Sequence, residues 1–342
     1  LRAWDPNTRG GQELQITEIL LGLMIDNRLV EGVETGRLDL RRGGGGWFTW
    51  NRYQPFMGFN VDADDLVVGT EVLMTELQGS LQNPFSESEL ERAIDVYRSF
   101  QEQRLAEIGT IQDRQIADVL AEHYLGGADI QAVEDSVAMN EEILDDLEAD
   151  AVNDHWGWMI TSAAPIVLIV GPDDDRTGAP AEHRAAVERA SRAIVEATDD
   201  AVEEIDTLLD PPLPVEEAER NRLARNTGFE LVFDNGMRVL FSPSDITEGE
   251  VSVVSESPGG SGLLTEDDSQ LAQVATDAVA ASGIGPWEPV QLRRYLSDRN
   301  AFGAPYLTRQ AEGFSGSAAT DDLDVLFQLF HLFVTSPRVD PV

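Results

Sequence analysis

Hydrophobic residues recur at helical spacing through the first half of the chain. In residues 12–32 the apolar side chains stand three and four positions apart, which predicts an amphipathic helix. They are Leu14, Ile16, Ile19, Leu20, Leu23, Met24 and Leu29. The same pattern predicts helices over residues 64–80, 86–108, 111–125 and 139–157.

The start of the helix over residues 86–108 is marked by a capping pair. Ser86 and Glu89 follow Pro84 at the spacing with which a hydroxyl and a carboxylate satisfy each other's backbone N–H groups. The helical periodicity predicts five buried side chains along it, namely Leu90, Ile94, Tyr97, Phe100 and Leu105.

Short apolar segments bounded by Gly and Pro predict strands. Residues 47–50 and 56–59 are rich in aromatic side chains and follow Gly43–Gly46, a run that predicts a flexible turn. The run is not a phosphate-binding loop, because no Lys-Ser/Thr follows it. The continuous apolar run Pro165–Val170 predicts a buried strand that ends at Gly171-Pro172.

Residues 173–228 differ in composition and predict an interdomain connector. Asp, Glu, Ala, Arg and Pro dominate this segment. A helix is expected over residues 180–206, followed by the Pro-rich breaker of residues 210–214. The chain is therefore expected to divide into a domain of residues 1–172, the acidic connector of residues 173–228 and a domain of residues 229–342.

The last third of the chain predicts an α+β domain. Alternating apolar residues flank Asn235-Gly236, which indicates a hairpin whose two turn positions both have positive φ. A third strand is expected over residues 250–256, then helices near 265–281 and 288–298, strands near 303–309 and 312–317, and a helix near 319–335. This order predicts a mainly antiparallel sheet with helices on one face.

Charge sets limits on the partners. The chain has 63 acidic and 24 basic side chains, every basic one an Arg, and a net charge of −39. Nucleic acids and anionic membrane surfaces would be repelled, so neither is an expected partner. Two interpretations stay open: a solubilising, salt-tolerant surface, or an acidic chamber for basic peptides.

Cysteine and long apolar segments are both absent from the sequence. Without Cys the chain has no disulfide, thiol nucleophile or Cys-ligated metal. Its longest apolar runs, residues 19–25 and 165–170, are far shorter than the roughly 20 residues that span a bilayer.

The motifs of a zinc peptidase are absent as well. An inverted zincin needs His-x-x-Glu-His, but before His123 and His183 the first His position holds Val119 and Ala179. His-Glu-x-x-His does not occur either, and all four His, which include His155 and His331, are expected to be ordinary surface or core residues. No catalytic, metal-binding or cofactor-binding residue is therefore predicted.

Three weaker patterns also have simpler interpretations. Asp173, Asp175, Thr177 and Gly178 begin like a calcium loop, but position twelve is Arg184 where Glu is needed. The segments 259–263 and 313–317 lack the final Gly of a Gly-x-Ser-x-Gly elbow and are expected to be turns or close-packed strands. The acidic residues of 141–150 are expected to form a solvated helix face.

Several short motifs follow one another through the last domain. They are Asn-Gly-Met-Arg-Val from Asn235, Ser-Pro-Gly-Gly from Ser257, Ala-Ser-Gly-Ile-Gly from Ala281 and Glu-Gly-Phe-Ser-Gly-Ser from Glu312, followed by segments 321–329 and 333–338. In residue types and in order, over about 110 residues, they resemble the third domain of pitrilysin-family (insulinase-like) zinc metallopeptidases. We expect their key residues to be structural: Asn235, Gly236, Pro258, Gly259, Gly260, Gly313 and Gly316. Before residue 172 the resemblance is looser and rests on segments 27–29, 88–93 and 167–172.

The resemblance implies a non-catalytic portion of a zinc endopeptidase. Members of this family hold peptides in a chamber of four homologous α+β domains, with zinc bound by the first. This chain would supply the second domain, the connector and most of the third, as wall and hinge, with zinc only in the parent protein. The alternative is a catalytically dead homologue that binds peptides or assembles with an active subunit. The expected partners are peptides, other domains of the same chain or a homologous subunit, and the family favours a periplasmic or secreted location.

Overall fold

The structure is a computed structural model in which the chain forms two compact units. Unit 1 consists of Leu1–Leu105, Asp113–Glu203 and Pro289–Asp298, and unit 2 of Ala106–Gln112, Glu204–Glu288 and Arg299–Val342. The structure describes residues 5, 7–51, 54–111, 113–127, 129–162, 165–172, 174, 176–197, 205–210, 219–223, 228–244 and 249–340.

The first helix of unit 1 carries the largest part of its core. Helix α1 spans Arg9–Glu34, so the predicted helix is confirmed and extends slightly at both ends. The hydroxyl of Thr8 accepts the Gly11 N–H at 3.1 Å and satisfies one of the free donors of the first turn. Its buried apolar face packs against residues of α3, α5 and α6. The buried face includes Ile16, Leu20, Leu21, Met24, Ile25 and Leu29.

A two-stranded antiparallel hairpin packs against α1. Strands β1 (Arg42–Asn51) and β2 (Gln54–Asp62) confirm the two predicted strands. The expectation of a flexible turn at Gly43–Gly46 is wrong, because all four glycines lie in β1 and pair with residues 58–61. A Cβ atom on Gly22 of α1 would lie 3.1 Å from the backbone nitrogen of Trp47, tighter than an ordinary contact, so helix and strand approach closely there.

The next two helices begin as the sequence predicts. Helix α2 spans Leu66–Gln82, and α3 spans Glu87–Ala106. The capping pair is confirmed: Ser86 N–H donates to Glu89 Oε2 at 2.8 Å, and Glu89 N–H donates to Ser86 Oγ at 3.2 Å. The expectation that Phe100 and Leu105 are buried is wrong, since both are exposed at the distal end of the helix.

Three helices of unit 1 follow, after a short 3₁₀ turn that belongs to unit 2. A 3₁₀ turn over Glu107–Thr110 precedes α4 (Asp113–Ala121), which ends in a π-helical turn, Glu122–Gly126. The region predicted as one helix over residues 139–157 is two, α5 (Val133–Asp145) and α6 (Ala149–Ser162). The prediction of a buried strand at Pro165–Val170 is wrong: the segment has no strand pairing, and Ile166 is 97% exposed.

The last helices of unit 1 come from distant parts of the sequence. Helix α7 spans Pro180–Ala190 and packs on α2. It stops far before the predicted end at residue 206, and residues 193–197 are not helical. Helix α9 (Pro289–Leu296) also belongs to unit 1, although unit 2 precedes and follows it in the chain.

One sheet of unit 2 contains the predicted hairpin. Strands β3 (Glu219–Arg222), β4 (Phe229–Val232) and β5 (Arg238–Phe241) form an antiparallel sheet in that order. Only Gly236 has positive φ in the turn, at 86°, so the expectation of positive φ at Asn235 is wrong. The Gly236 N–H donates to the Phe233 carbonyl at 2.9 Å, the pattern of a three-residue hairpin loop that closes on a left-handed Gly.

The second sheet of unit 2 holds the better-packed core. Strands β6 (Glu250–Pro258), β7 (Ala301–Leu307) and β8 (Ala311–Ala319) pair antiparallel in the order β6–β8–β7. Helices α8 (Glu266–Ala281) and α10 (Leu323–Thr335) pack on β7. Ala318, Leu326 and Phe330 form the centre of this core. The predicted α+β class and the predicted order of elements from residue 229 onward are confirmed.

Candidate functional site

Among the described residues of unit 1, the most deeply buried carboxylate belongs to α1. Glu18 is 4% exposed, and both of its oxygens are occupied. Trp47 Nε1 of β1 donates to Oε2 at 2.7 Å, and His155 Nε2 of α6 lies 3.2 Å from Oε1. The His155 ring stacks on Trp158 with ring centres 5.5 Å apart. Because its acceptors are used by protein groups, this cluster joins three elements rather than offering a base to a substrate.

A second carboxylate lies further along α1. Asp26 accepts the Gly45 N–H of β1 at 2.8 Å. Burial raises the pKa of the Asp26 carboxyl above its ordinary value, while the Gly45 hydrogen bond and the charge of Arg293 oppose that shift. Asp26 therefore attaches the Gly-rich strand to the helix at the cost of burying a charge.

The basic residues of α9 reach the C-terminal part of α1. Arg294 Nε and Nη2 donate to the two oxygens of Glu31 at 2.8 and 2.7 Å, and Arg293 Nη2 donates to Glu34 at 3.0 Å. A depression beside these groups, lined by residues of α1 and α3, has room for about one water molecule. It is too small to hold a substrate.

The remaining histidines are structural or lie on the surface. His183 is buried between α7 and α2, where Nδ1 lies 2.8 Å from Thr70 Oγ1 and Nε2 lies 2.7 Å from the Thr177 carbonyl. His123 and His331 are exposed. Among the described residues, no three His, Asp or Glu side chains come together as metal ligands.

The calcium-like loop falls partly outside the described residues, since Asp173 and Asp175 are not among them. Within it, Asp174 accepts from Arg176 at 2.6 Å, and the Thr177 hydroxyl donates to the Pro172 carbonyl. Gly178 has φ of 70°. These contacts are those of a turn closed on itself.

The two serine-containing segments lie in or beside the sheet of β6, β7 and β8. Gly313 and Gly316 are strand residues of β8, and a Cβ atom at either would collide with a backbone carbonyl of the neighbouring strand, Ser255 or Phe302. Ser315 pairs with Val254 and Ala304 within the sheet. It is a strand residue, not a nucleophile exposed on a strand–helix turn.

The Pro258-Gly259-Gly260 motif ends β6 and turns the chain. Gly260 has φ of 88°, and a Cβ atom there would lie 2.5 Å from the Thr308 carbonyl oxygen. Ser261 N–H donates to that same carbonyl at 2.9 Å. The turn is thereby attached to the loop between β7 and β8.

Sequence reasoning missed Glu18, Asp26 and Arg28. Arg28 donates through Nε and Nη2 to both oxygens of Glu89, at 2.7 and 2.9 Å, and its guanidinium lies 4.1 Å from the Phe85 ring centre. The sequence offered one signal for these three residues: each is charged and stands at a position of α1 that the helical period places near the core. Their partners are 19 to 137 residues away in the chain, which no local pattern reveals.

None of the described helices is both long enough and apolar enough to cross a membrane. No protein-family model matches the chain, and no curated protein sequence matches it.

Solved protease structures do match. A mutant of the ferredoxin protease FusC, solved with Arabidopsis ferredoxin, is 16% identical with a TM-score of 0.53 over 97% of this chain and 37% of its own. Pitrilysin is 13% identical with a TM-score of 0.51 over 94% of this chain and 34% of its own. The periplasmic protease PqqL from Escherichia coli is 18% identical with a TM-score of 0.49, over 97% of this chain and 37% of its own.

This chain thus spans little more than a third of the length of each of these proteases. At such low identity the likeness concerns the fold rather than the activity. The match to FusC and pitrilysin nevertheless runs through nearly the whole chain, across both units. The chain has the α+β fold of pitrilysin and insulinase-like peptidases.

Proposed function

We propose that this chain is a non-catalytic portion of a peptidase, and that it contributes wall and hinge to a peptide-holding chamber. The observation that carries the proposal is the combination of a peptidase fold along 97% of the chain with a sequence that lacks His-x-x-Glu-His. The residues of 1–172 and 229–342 would form two non-catalytic domains, with 173–228 as the connector. Zinc would be bound by another part of the parent protein.

The buried and half-buried carboxylates of unit 1 support this assignment. The carboxylates of Glu18, Glu89 and Glu31 are each satisfied by a side-chain partner, as expected of groups that hold elements together. The glycines of β8 allow close strand approach. The seven motif residues from Asn235 to Gly316 are accordingly proposed to be structural.

Peptide hydrolysis by the isolated chain tests the proposal. The chain would be incubated with fluorogenic peptides and casein in the presence of zinc, with and without 1,10-phenanthroline, beside pitrilysin as a positive control. We expect no hydrolysis above the level of a heat-denatured sample. Cleavage that the chelator abolishes would overturn the non-catalytic assignment.

The alternative role, a catalytically dead subunit, is distinguished by the parent gene. An intact His-x-x-Glu-His with a distal Glu upstream of Leu1 would exclude it, because that set can bind zinc and activate water. A degraded motif would favour it over the single-chain peptidase. A periplasmic or secreted location stays a prediction from family resemblance.

A further inference from the structure

Helix α4 and the π turn after it carry an exposed apolar stripe. Ile116, Val119 and Leu120 stand at positions i, i+3 and i+4, so their side chains share one face of the helix. They are 48%, 52% and 53% exposed, and Tyr124, one turn further, is 87% exposed. No residue of α4 is buried.

This stripe is unusual for a helix of its length. A nine-residue helix is marginal in water and normally gains its stability by burying its apolar face. The end of the segment is nevertheless held in place, because Asn7 Nδ2 donates to the Gly127 carbonyl and Asp129 N–H donates to Asn7 Oδ1, both at 3.0 Å. An attached amphipathic helix with no buried residue presents a docking face.

The acidic residues around the stripe indicate the charge that a partner should have. Residues 113–135 contain six carboxylates and one guanidinium, that of Arg114. Asp113 and Asp118 belong to α4 itself. Complementary charge favours and steers a partner with basic side chains beside its apolar ones. We propose that the face formed by Ile116, Val119, Leu120 and Tyr124 binds an amphipathic helical segment whose flanks are rich in Lys and Arg.

Other occupants fit the charge less well. A second copy of this chain would bring the same acidic residues and a net charge of −39 to the contact. An anionic membrane would be repelled in the same way. The proposal does not rest on the chamber role, because the observations behind it are the exposure and the charge of α4 and the turn after it in this chain.

A designed peptide tests the proposal. The probe is an 18-residue fluorescein-labelled helix with Leu at i, i+3, i+4 and i+7 and Lys on both flanks, titrated with the 342-residue chain and followed by fluorescence anisotropy. One control has Glu in place of Lys, and another has the same composition with the Leu spacing scrambled. We expect saturable binding of the first peptide alone, weakening as salt is raised.

Paired variants locate the binding face. V119S/L120S should weaken binding about tenfold or more, because it removes two apolar contacts while keeping the net charge. L240S/L263S is the matched control, since both of its leucines are exposed in unit 2, and it should bind like the natural chain. D113N/D118N should weaken binding at low salt but little at high salt.

Three results would overturn the proposal. The first is equal binding by the Glu peptide or the scrambled peptide. The second is equal loss of affinity in V119S/L120S and L240S/L263S. The third is that no peptide binds. If sedimentation then shows self-association that V119S/L120S abolishes, a second copy of the chain covers the stripe instead.

Discussion

Trp47 Nε1 lies 2.7 Å from Glu18 Oε2, so a strand residue donates a hydrogen bond to a carboxylate of α1 that is almost wholly buried. The other oxygen of Glu18 faces His155 on α6. Three elements of unit 1 thus meet at one charged group. A buried carboxylate that loses a donor retains its desolvation cost, which makes this cluster sensitive to small changes.

The Trp47→Phe variant should test that sensitivity. It keeps a large aromatic ring but removes the indole N–H, and we expect the free energy of unfolding to fall by about 1–3 kcal/mol. Urea denaturation followed by circular dichroism measures the change. Trp158→Phe is the matched control, because Trp158 stacks on His155 with its ring, which Phe retains. Equal losses in both variants would contradict a specific role for the Trp47–Glu18 hydrogen bond.

Arg28 should not be replaceable by Lys. Its planar guanidinium donates to both oxygens of Glu89 and also to the Asn83 carbonyl at 2.9 Å, a geometry that a single ammonium cannot reproduce. We expect Arg28→Lys to lower the free energy of unfolding by about 1–2 kcal/mol.

An exposed ion pair provides the comparison for Arg28. The side chains of Arg28 and Glu89 are 21% and 15% exposed, whereas those of Arg9 and Glu142 are 51% and 67% exposed. Arg9→Lys should therefore leave the urea midpoint unchanged within error. An unchanged midpoint for Arg28→Lys as well would show that the bidentate geometry contributes nothing.

Replacement by alanine should change the free energy of unfolding in opposite directions at Gly236 and Gly157. Gly236 has φ of 86° in the hairpin loop, so Gly236→Ala should lower the free energy of unfolding by about 1 kcal/mol. Gly157 lies in α6 with open space around it, so Gly157→Ala should raise the free energy of unfolding by about 0.5–1 kcal/mol. Thermal denaturation of the two variants measures both signs. A gain in stability for Gly236→Ala would contradict the turn assignment, and a loss for Gly157→Ala would contradict the open space around Gly157.

The hairpin loop makes a second prediction through Asn235. Its Oδ1 accepts the Met237 N–H at 3.0 Å, and its φ is not positive. Asn235→Ala should therefore cost about 0.5–1.5 kcal/mol through the lost hydrogen bond rather than through backbone strain. Asn235→Asp, which keeps the acceptor, should recover most of that loss in the same denaturation measurement.

Asp26 should make stability fall as pH rises. Burial raises its pKa in the folded state, so the folded chain retains the proton over a range in which the unfolded chain has released it. The stability associated with the protonated group is complete below the ordinary pKa of 3.8 and is lost as pH rises through the higher folded value. Asp26→Asn should thus gain stability relative to the natural chain between those two values, as measured by urea midpoints from pH 3.5 to 7.

Asp340 is the control of opposite sign. The Gly283 N–H, at 2.8 Å, and then Arg338 lower the pKa of the Asp340 carboxyl. The stability from this group is therefore present above the ordinary pKa and is lost as pH falls through the lower folded value. Between the lower folded pKa and the ordinary value of 3.8, Asp340→Asn should lose stability relative to the natural chain as pH rises, so its urea midpoints have to be measured below pH 3.5 as well. If the stability difference from the natural chain changed with pH in the same direction for Asp26→Asn and Asp340→Asn, the environments described for the two carboxyls would be contradicted.

The sequence by itself determined the elements and their order. Helical spacing in residues 12–32, the Ser86–Glu89 cap and the alternation around Asn235-Gly236 are local signals, and each acts within a few residues of the chain. They were sufficient to predict the α+β class, whereas the family resemblance rests on the short residue motifs of the last domain. The sequence also determined that the zinc motif is absent, because that motif is a local spacing of residue types.

Only the tertiary structure decided which apolar residues find a partner. Phe100 and Leu105 have the periodicity of a buried helix face, and residues 166–168 and 170 belong to a continuous apolar run. All of them are exposed, since an apolar pattern does not show what lies against it. The glycines of β1 form a strand rather than a turn because β2 pairs with them and α1 packs on them. The Glu18–His155 contact joins residues 137 positions apart, and only the packing of α1 against α6 brings them together.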